Sequence, residues 1–312
     1  MNHVWVLGSA NIDVTLRVPR IPESGETVLA SERFVGTGGK GANQAIAIAH
    51  WGVPVRFIGA VGDDPEGALL ARSLSEAGVN TENLARVHEV ASGTAAVTVS
   101  DSGQNVITVF PGANQRISTD TIEKLPFRDG DIVVAQLEIN VDAVLAAFRK
   151  ARNIGATTIL NPSPFASFDE ELLADCTTLI ANEHEASALG AVSVVDIETA
   201  AACAETIRDR GPDSIVITMG HIGATLHRRT DSFYCPAPTV AVVDTQGAGD
   251  AFLGAYISQL YQHGNEVEAL QYATMVSAFS VTKMGSTQVS LPRRYEDIPF
   301  QQRPVKEIVR GR

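Results

Sequence analysis

Apolar residues in this chain cluster into short runs, and the stretches between them carry apolar positions at helical spacing. The runs at 4–7, 56–58, 132–135, 158–160, 178–181 and 215–218 predict strands, several of them apolar throughout. A strand that is apolar on both faces is covered on both sides. Helical patterns follow at 141–152 and 199–210. The alternation predicts an α/β fold in three layers, with a mostly parallel central sheet between helices. Ligands of such sheets bind beyond the carboxyl ends of the strands.

Two segments break this rhythm. Runs at 14–18 and 27–35 flank a connection bearing proline and glycine. Runs at 94–99 and 105–110 flank Asp101-Ser102-Gly103, a hairpin-turn sequence, and are rich in β-branched residues. These pieces, about 14–35 and 94–110, predict a small β-sheet projecting from a single domain spanning 1–312. The tail 293–312 is polar, basic and uninformative.

A chain of 312 residues can bury a sizeable core, and its 45% hydrophobic content is that of a globular protein. No apolar run is long enough to span a bilayer, and the N-terminus reads as a first strand, not a signal peptide. Cys176, Cys203 and Cys235 are scattered and odd in number, which predicts reduced thiols in a cytoplasmic protein. The net charge of −12 argues against nucleic acid and anionic membrane as partners. Any phosphate ligand must therefore be held by local dipoles and metal.

The chemistry concentrates in two glycine-rich elements. In the first, an apolar, strand-like run at 242–243 leads through Asp244-Thr245-Gln246 into Gly247-Ala248-Gly249-Asp250, and a helical pattern follows. Small residues at a helix start let backbone N–H groups approach an anion closely. Asp250 beside that anion hole suits a base that takes a proton from a hydroxyl attacking a phosphoryl group. A plain strand-to-helix turn capped by Asp250 is the simpler alternative. In the second element, Gly36-Thr37-Gly38-Gly39-Lys40-Gly41-Ala42-Asn43-Gln44 opens another helix, and Lys40 and Asn43 suit sugar hydroxyls. It has neither Walker A nor dinucleotide-fingerprint spacing.

Together the two elements resemble the signatures of the ribokinase (PfkB) family of carbohydrate kinases. The likeness runs nearly end to end. It includes Gly8-Ser9-Ala10-Asn11-Ile12-Asp13, Val61-Gly62-Asp63-Asp64, Pro111-Gly112-Ala113-Asn114, Gln136-Leu137-Glu138, Asn161-Pro162-Ser163-Pro164, Asn182-Glu183-His184-Glu185 and Thr218-Met219-Gly220. It implies a ribokinase-like fold with the small sheet as a lid and dimer contact. It also implies ATP-dependent phosphorylation of a pentose, with D-ribose leading and deoxyribose, another sugar or a nucleoside as alternatives. A sugar-sensing regulator or a nucleotide-binding module on the same fold would be non-enzyme alternatives.

By the same resemblance, Asp250 is the general base, and Gly247, Ala248 and Gly249 form the anion hole. Asn11, Asp13, Gly39, Lys40, Asn43 and Glu138 would hold the sugar, although Asn11 and Asp13 also suit a turn. Asn182 and Glu185 would serve magnesium and phosphate through water, although such a pair also caps helices. Ala181 precedes them where ribokinases often carry proline. Thr218, Gly220, Gly223 and Thr274 would line the nucleotide site, Thr274 standing where the family often has His or Asn. Asp244, Gln246, Ser280, Lys283, Gly285 and Ser290 resemble a potassium loop, here one residue longer between Gly285 and Pro292.

Overall fold

The computed structural model of the chain describes residues 2–165, 168–283, 291–292, 294–301 and 303–308. In chain order its first elements are β1 (Val4–Leu7), β2 (Asn11–Val18), β3 (Glu32–Gly38), α1 (Lys40–His50), β4 (Val55–Gly62), α2 (Pro65–Glu76), β5 (Asn80–Val87), β6 (Gly93–Ser100) and β7 (Asn105–Phe110). Next come α3 (Thr119–Glu123), β8 (Ile132–Ala135), α4 (Val141–Asn153), β9 (Thr157–Leu160), α5 (Glu171–Ala174), β10 (Thr178–Asn182), α6 (Glu183–Gly190) and α7 (Ile197–Arg208). The chain continues with β11 (Ser214–Thr218), β12 (Gly223–Arg228), β13 (Ser232–Pro236), α8 (Ala248–His263), α9 (Glu266–Ser280) and β14 (Lys306–Glu307).

One sheet has the order β14-β13-β12-β11-β10-β9-β8-β1-β4-β5. It is parallel from β11 to β5 and antiparallel at β12, β13 and β14. The apolar runs become strands because helices cover both faces. Within β1, Val4 and Val6 pack with Phe57, Leu253 and Tyr256 on one side. Trp5 and Leu7 pack with Val133, Phe148 and Ile207 on the other. Each such side chain, fully buried, contributes about 1.5–3 kcal/mol relative to exposure.

The second sheet has the order β3-β2-β6-β7, with β2 and β6 parallel. Its surface is unusually apolar: Phe34, Val35, Val106, Ile107, Val109 and Phe110 are exposed. The hairpin turn between β6 and β7 falls at residues 101–103 as expected.

Three expectations change. The predicted strand over 27–35 begins only at Glu32 and runs on to Gly38. Asn11 and Asp13 are not in a turn; they open β2, where Asp13 pairs with Gly36 and Ala95. The valines at 242–243 form no strand and are 62% and 57% exposed. Among the described residues their backbone has no neighbouring strand to join, and the N–H groups of Val243 and Asp244 donate to the Val281 carbonyl after α9 instead.

Candidate active site

Strand order reverses between β8 and β1, and the carboxyl ends of the parallel strands open there. A cleft of about 140 Å³ lies at those ends, lined in part by Lys40, Asn161, Asn182, Glu185, Gly249 and Asp250. A larger cavity, about 610 Å³, lies at the opposite ends of β8 to β11, lined by Ile132, Thr157, Thr178 and Ser214. The small cleft holds the convergent polar groups, so it is the candidate site despite its size.

Two helix starts with glycine at the N-cap, and so with no capping side chain there, face it. At α8, Gly247 takes φ 76°, a left-handed conformation that glycine adopts without strain, and no side chain caps the helix. The Ala248 N–H donates to the Thr245 carbonyl, and Ala251 is the first to donate to Gly247. The N–H groups of Gly249 and Asp250 therefore have no intrahelical acceptor and stand at the cleft, whereas Ala248, expected in the anion hole with Gly247 and Gly249, turns its N–H to Thr245 instead. By contrast α6, α7 and α9 are capped by Asn182, Asp196 and Asn265.

The Asp250 carboxylate is held from α1. Asn43 Nδ2 donates to its Oδ2 at 3.2 Å and Gln44 Nε2 to its Oδ1 at 3.1 Å. The side chain is ringed by protein while part of the residue stays open to the cleft. Burial raises its pKa, the Lys40 ammonium and the two amide donors pull it back, and the Glu138 charge adds to the rise. The net direction is upward, which makes Asp250 a better proton acceptor than an ordinary carboxylate.

At α1 the glycines serve close approach. Gly39 sits at φ 89°, and a methyl on Gly41 would come within 2.6 Å of the Gly8 backbone. The helix start is thus pressed onto the turn after β1. Its N–H groups are met by the Ser9 side chain and backbone and by Glu138, whose Oε2 accepts from Lys40 N at 3.2 Å and from Ser9 Oγ. Asn11 Nδ2 reaches the same oxygen at 3.5 Å, and its Oδ1 accepts from Asn114 Nδ2 at 2.7 Å. Asp13 lies beside them. Burial first, then the charges of Glu138 and Asp250, push its carboxyl up to about 6. Asn11, Asp13, Gly39, Lys40, Asn43, Glu138 and Asp250 are thus brought together from β2, the start of α1, the turn after β8 and the start of α8.

The remaining residues separate. Asn182 and Glu185 form a reciprocal capping box on α6, and both line the cleft. One Glu185 oxygen accepts from the Asn182 N–H at 3.1 Å. Thr218 ends β11 and also lines the cleft. Gly220 and Gly223 form the tight turn into β12, with φ 48° and 125°. Thr274 is buried inside α9, with its hydroxyl donating to the Leu270 carbonyl. The structure therefore does not present Thr274 to the cleft.

For the cation loop, the Asp244 carboxylate accepts from the Gln246 N–H at 2.9 Å, and the Asp244 backbone meets Val281. Ser280 is buried with its hydroxyl on the Ser277 carbonyl, and the Lys283 ammonium lies over the Phe279 ring. Gly285 and Ser290 lie outside the described residues. Among the described residues, no cluster of three His, Cys, Asp or Glu side chains could hold a metal ion.

Several site residues have no role assigned from sequence. Gln136, Asn161, Asn114, Ser9 and Gln44 carry the hydrogen bonds that tie the site together. Their signal is that each is a polar residue at a strand end or helix start inside one of the quoted motifs.

The family described as pfkB family carbohydrate kinase matches residues 1–294. Over 297 residues the chain is 33% identical to a ribokinase of Haemophilus influenzae, covering 95% of this chain and 97% of that protein. It is 34% identical to a deoxyribokinase of Salmonella typhi, covering 93% and 95% respectively. Among solved structures it resembles Arabidopsis thaliana ribokinase complexed with ribose and ATP. That match has a TM-score of 0.86 and 27% identity, over 96% of this chain and all of that one.

Proposed function

Since the chain belongs to the pfkB family of carbohydrate kinases and is an ATP-dependent sugar kinase, we propose that it phosphorylates the primary hydroxyl of a pentose, with D-ribose leading and D-ribose 5-phosphate as product. The observation that carries this reading is Asp250, an upward-shifted carboxylate held by two amides at the mouth of an uncapped helix N-terminus. Asp250 takes the hydroxyl proton as the sugar oxygen forms its bond to the γ-phosphorus. The bond from that phosphorus to the bridging oxygen breaks, and ADP leaves with the electron pair. The N–H groups at Gly249 and Asp250 stabilise the charge on the transferring phosphoryl oxygens.

Asn11, Asp13, Gly39, Lys40, Asn43 and Glu138 hold and orient the sugar. Amides that donate and accept, carboxylates that accept and an ammonium that donates suit a polyol. Thr218, Gly220 and Gly223 border the nucleotide. Asn182 and Glu185 fit magnesium in the manner of outer-sphere groups: their carboxylate and amide line the cleft without forming a ligand cage, and magnesium keeps much of its water. Asp244 and the adjacent carbonyls would hold potassium. Bound magnesium and potassium would supply positive charge at the phosphates and beside the anion hole.

The small sheet is the proposed lid, and its exposed apolar residues suit a homodimer contact. A dimeric mass at micromolar concentration is expected, and a monomeric one would remove the contact. Among the described residues no helix is long and apolar enough to cross a membrane, and a cytoplasmic setting without nucleic-acid partners suits the net charge of −12.

ATP turnover over ribose, deoxyribose, fructose, other pentoses and nucleosides, with and without magnesium and potassium, tests the reading. Ribose-dependent turnover is expected. Turnover on another member of the panel alone would move the substrate, and none with any sugar would overturn the proposal.

Asp13 has a pH consequence with a definite sign. Its folded pKa of about 6 lies above its ordinary 3.8. In that interval the folded chain keeps a proton that the unfolded chain has released. Stability from this group therefore falls as pH rises from about 4 to 6 and stays lower above it, by up to about 3 kcal/mol. Asp13→Asn is expected to melt a few degrees higher than the parent at pH 8, with the difference fading toward pH 4. Its KM for sugar should rise sharply, because the asparagine amide offers one acceptor oxygen where the ionised carboxylate offers two and carries the charge that strengthens both hydrogen bonds. A melting difference independent of pH would count against the assignment.

A further inference from the structure

Asp250 does not orient itself. Gln44 is buried in the first turns of α1, and its side-chain amide is committed on every side. Nε2 donates to Asp250 Oδ1 and to Asn161 Oδ1, each at 3.1 Å. Oε1 accepts from Gln136 Nε2 at 2.5 Å. Asn161 is in turn fixed by its own donation to the Ile180 carbonyl at 3.0 Å, so its Oδ1 can only accept. A flipped Gln44 amide would set its oxygen against the Asp250 carboxylate and Asn161 Oδ1, and its nitrogen against Gln136 Nε2. One orientation survives.

The far end of this chain is not relaxed. Gln136 is fully buried, and among the described residues its Oε1 has no hydrogen-bond partner. A buried acceptor left unpaired costs about 1–3 kcal/mol. An apolar residue of similar volume would avoid that penalty, but it could not donate to Gln44. A buried unsatisfied group of this kind, linked through Gln44 to the Asp250 carboxylate, calls for a functional explanation.

We propose that Gln44 is a positioning residue for the general base, and that Gln136 and Asn161 lock it so that Asp250 stays an acceptor aimed into the cleft. The inference rests on Asp250 being the base. Lys40 from α1, Glu138 from the turn after β8 and Asp13 from β2 also set the field at Asp250, and neither variant below alters them. Removing the Gln44 donor removes a hydrogen bond to the charged form, so the carboxyl becomes easier to protonate.

The test is the pH dependence of kcat at saturating sugar and ATP, where free-enzyme titration of Asp13 does not enter. In Gln44→Leu the acid limb should move to higher pH by about half a unit or more, and kcat at pH 7 should fall by about tenfold or more. Sugar KM should change far less. Gln44→Glu keeps the volume and places a second carboxylate against Asp250. Its limb should move further in the same direction, with activity returning toward alkaline pH. This variant carries the test where Gln44→Leu does not fold. An unmoved limb in the folded variants overturns the proposal, whatever happens to kcat. Asp250→Asn, measured alongside, separates the failures. Near-parental turnover there would sink the base itself, whereas an inactive Asp250→Asn with an unmoved Gln44 limb would sink only the positioning role.

Discussion

Asp250→Asn is expected to lower kcat by about 10²–10⁴-fold, the usual range for losing a general base. The substitution keeps the volume and removes the charge. Burial already disfavours that charge, so the neutral amide should not weaken the fold. One local adjustment is required. Each Asp250 oxygen now accepts an N–H, from Gln44 on one side and Asn43 on the other. An asparagine amide would turn its own N–H₂ toward one of these donors. Asn43 is the one expected to move, because Gln44 is pinned by Gln136 and Asn161. Sugar binding by calorimetry should therefore weaken modestly while turnover collapses. The parent should lose kcat as pH falls through the raised Asp250 pKa, and the variant should show no such limb. Turnover within tenfold of the parent would falsify the base assignment.

How much of this site was readable in the chain depends on the range of the interactions involved. The apolar runs at 4–7 and 132–135 became β1 and β8 with the same bounds, because strands buried on both faces leave no polar position to blur the pattern. Edge elements were harder. β5 reads Asn-Thr-Glu-Asn-Leu-Ala-Arg-Val, half exposed, and forms because β4 offers it a free edge. The run at 242–243 shows the converse: two β-branched residues with no strand beside them among the described residues stay in a loop.

At the site, the glycines of both helix starts were legible because their geometry is local. The amide chain was not, since Gln44 meets Gln136, Asn161 and Asp250 across 92, 117 and 206 positions of sequence. Nor could spacing reveal that Asn182 and Glu185 serve both as a helix cap and as cleft lining, or that Thr274 spends its hydroxyl on its own helix. Each of these is decided by which neighbour the fold supplies.

Gly249→Ala separates the anion hole from the fold. A Cβ at this position would meet nothing within 4 Å, and Gly249 is not in a left-handed conformation. It lies in the first turn of α8, where alanine is at least as good a helix former as glycine. The variant should therefore melt at the parental temperature or slightly above it. Its methyl, however, would stand in the cleft that Gly249 lines. Phosphoryl oxygens would be held off the N–H groups of Gly249 and Asp250 by more than a hydrogen bond tolerates. The expected loss resembles that of one oxyanion donor, about 10²–10³-fold in kcat. Gly247→Ala would not give a clean answer, because φ 76° there makes any side chain strained. Thermal melting and single-turnover phosphoryl transfer on the same preparation decide the matter. A stable Gly249→Ala protein with unchanged kcat would mean that the helix start shapes the cleft without stabilising the transferring group. A stable protein that has lost transfer would assign that role to these backbone N–H groups, because nothing else in the fold feels the methyl.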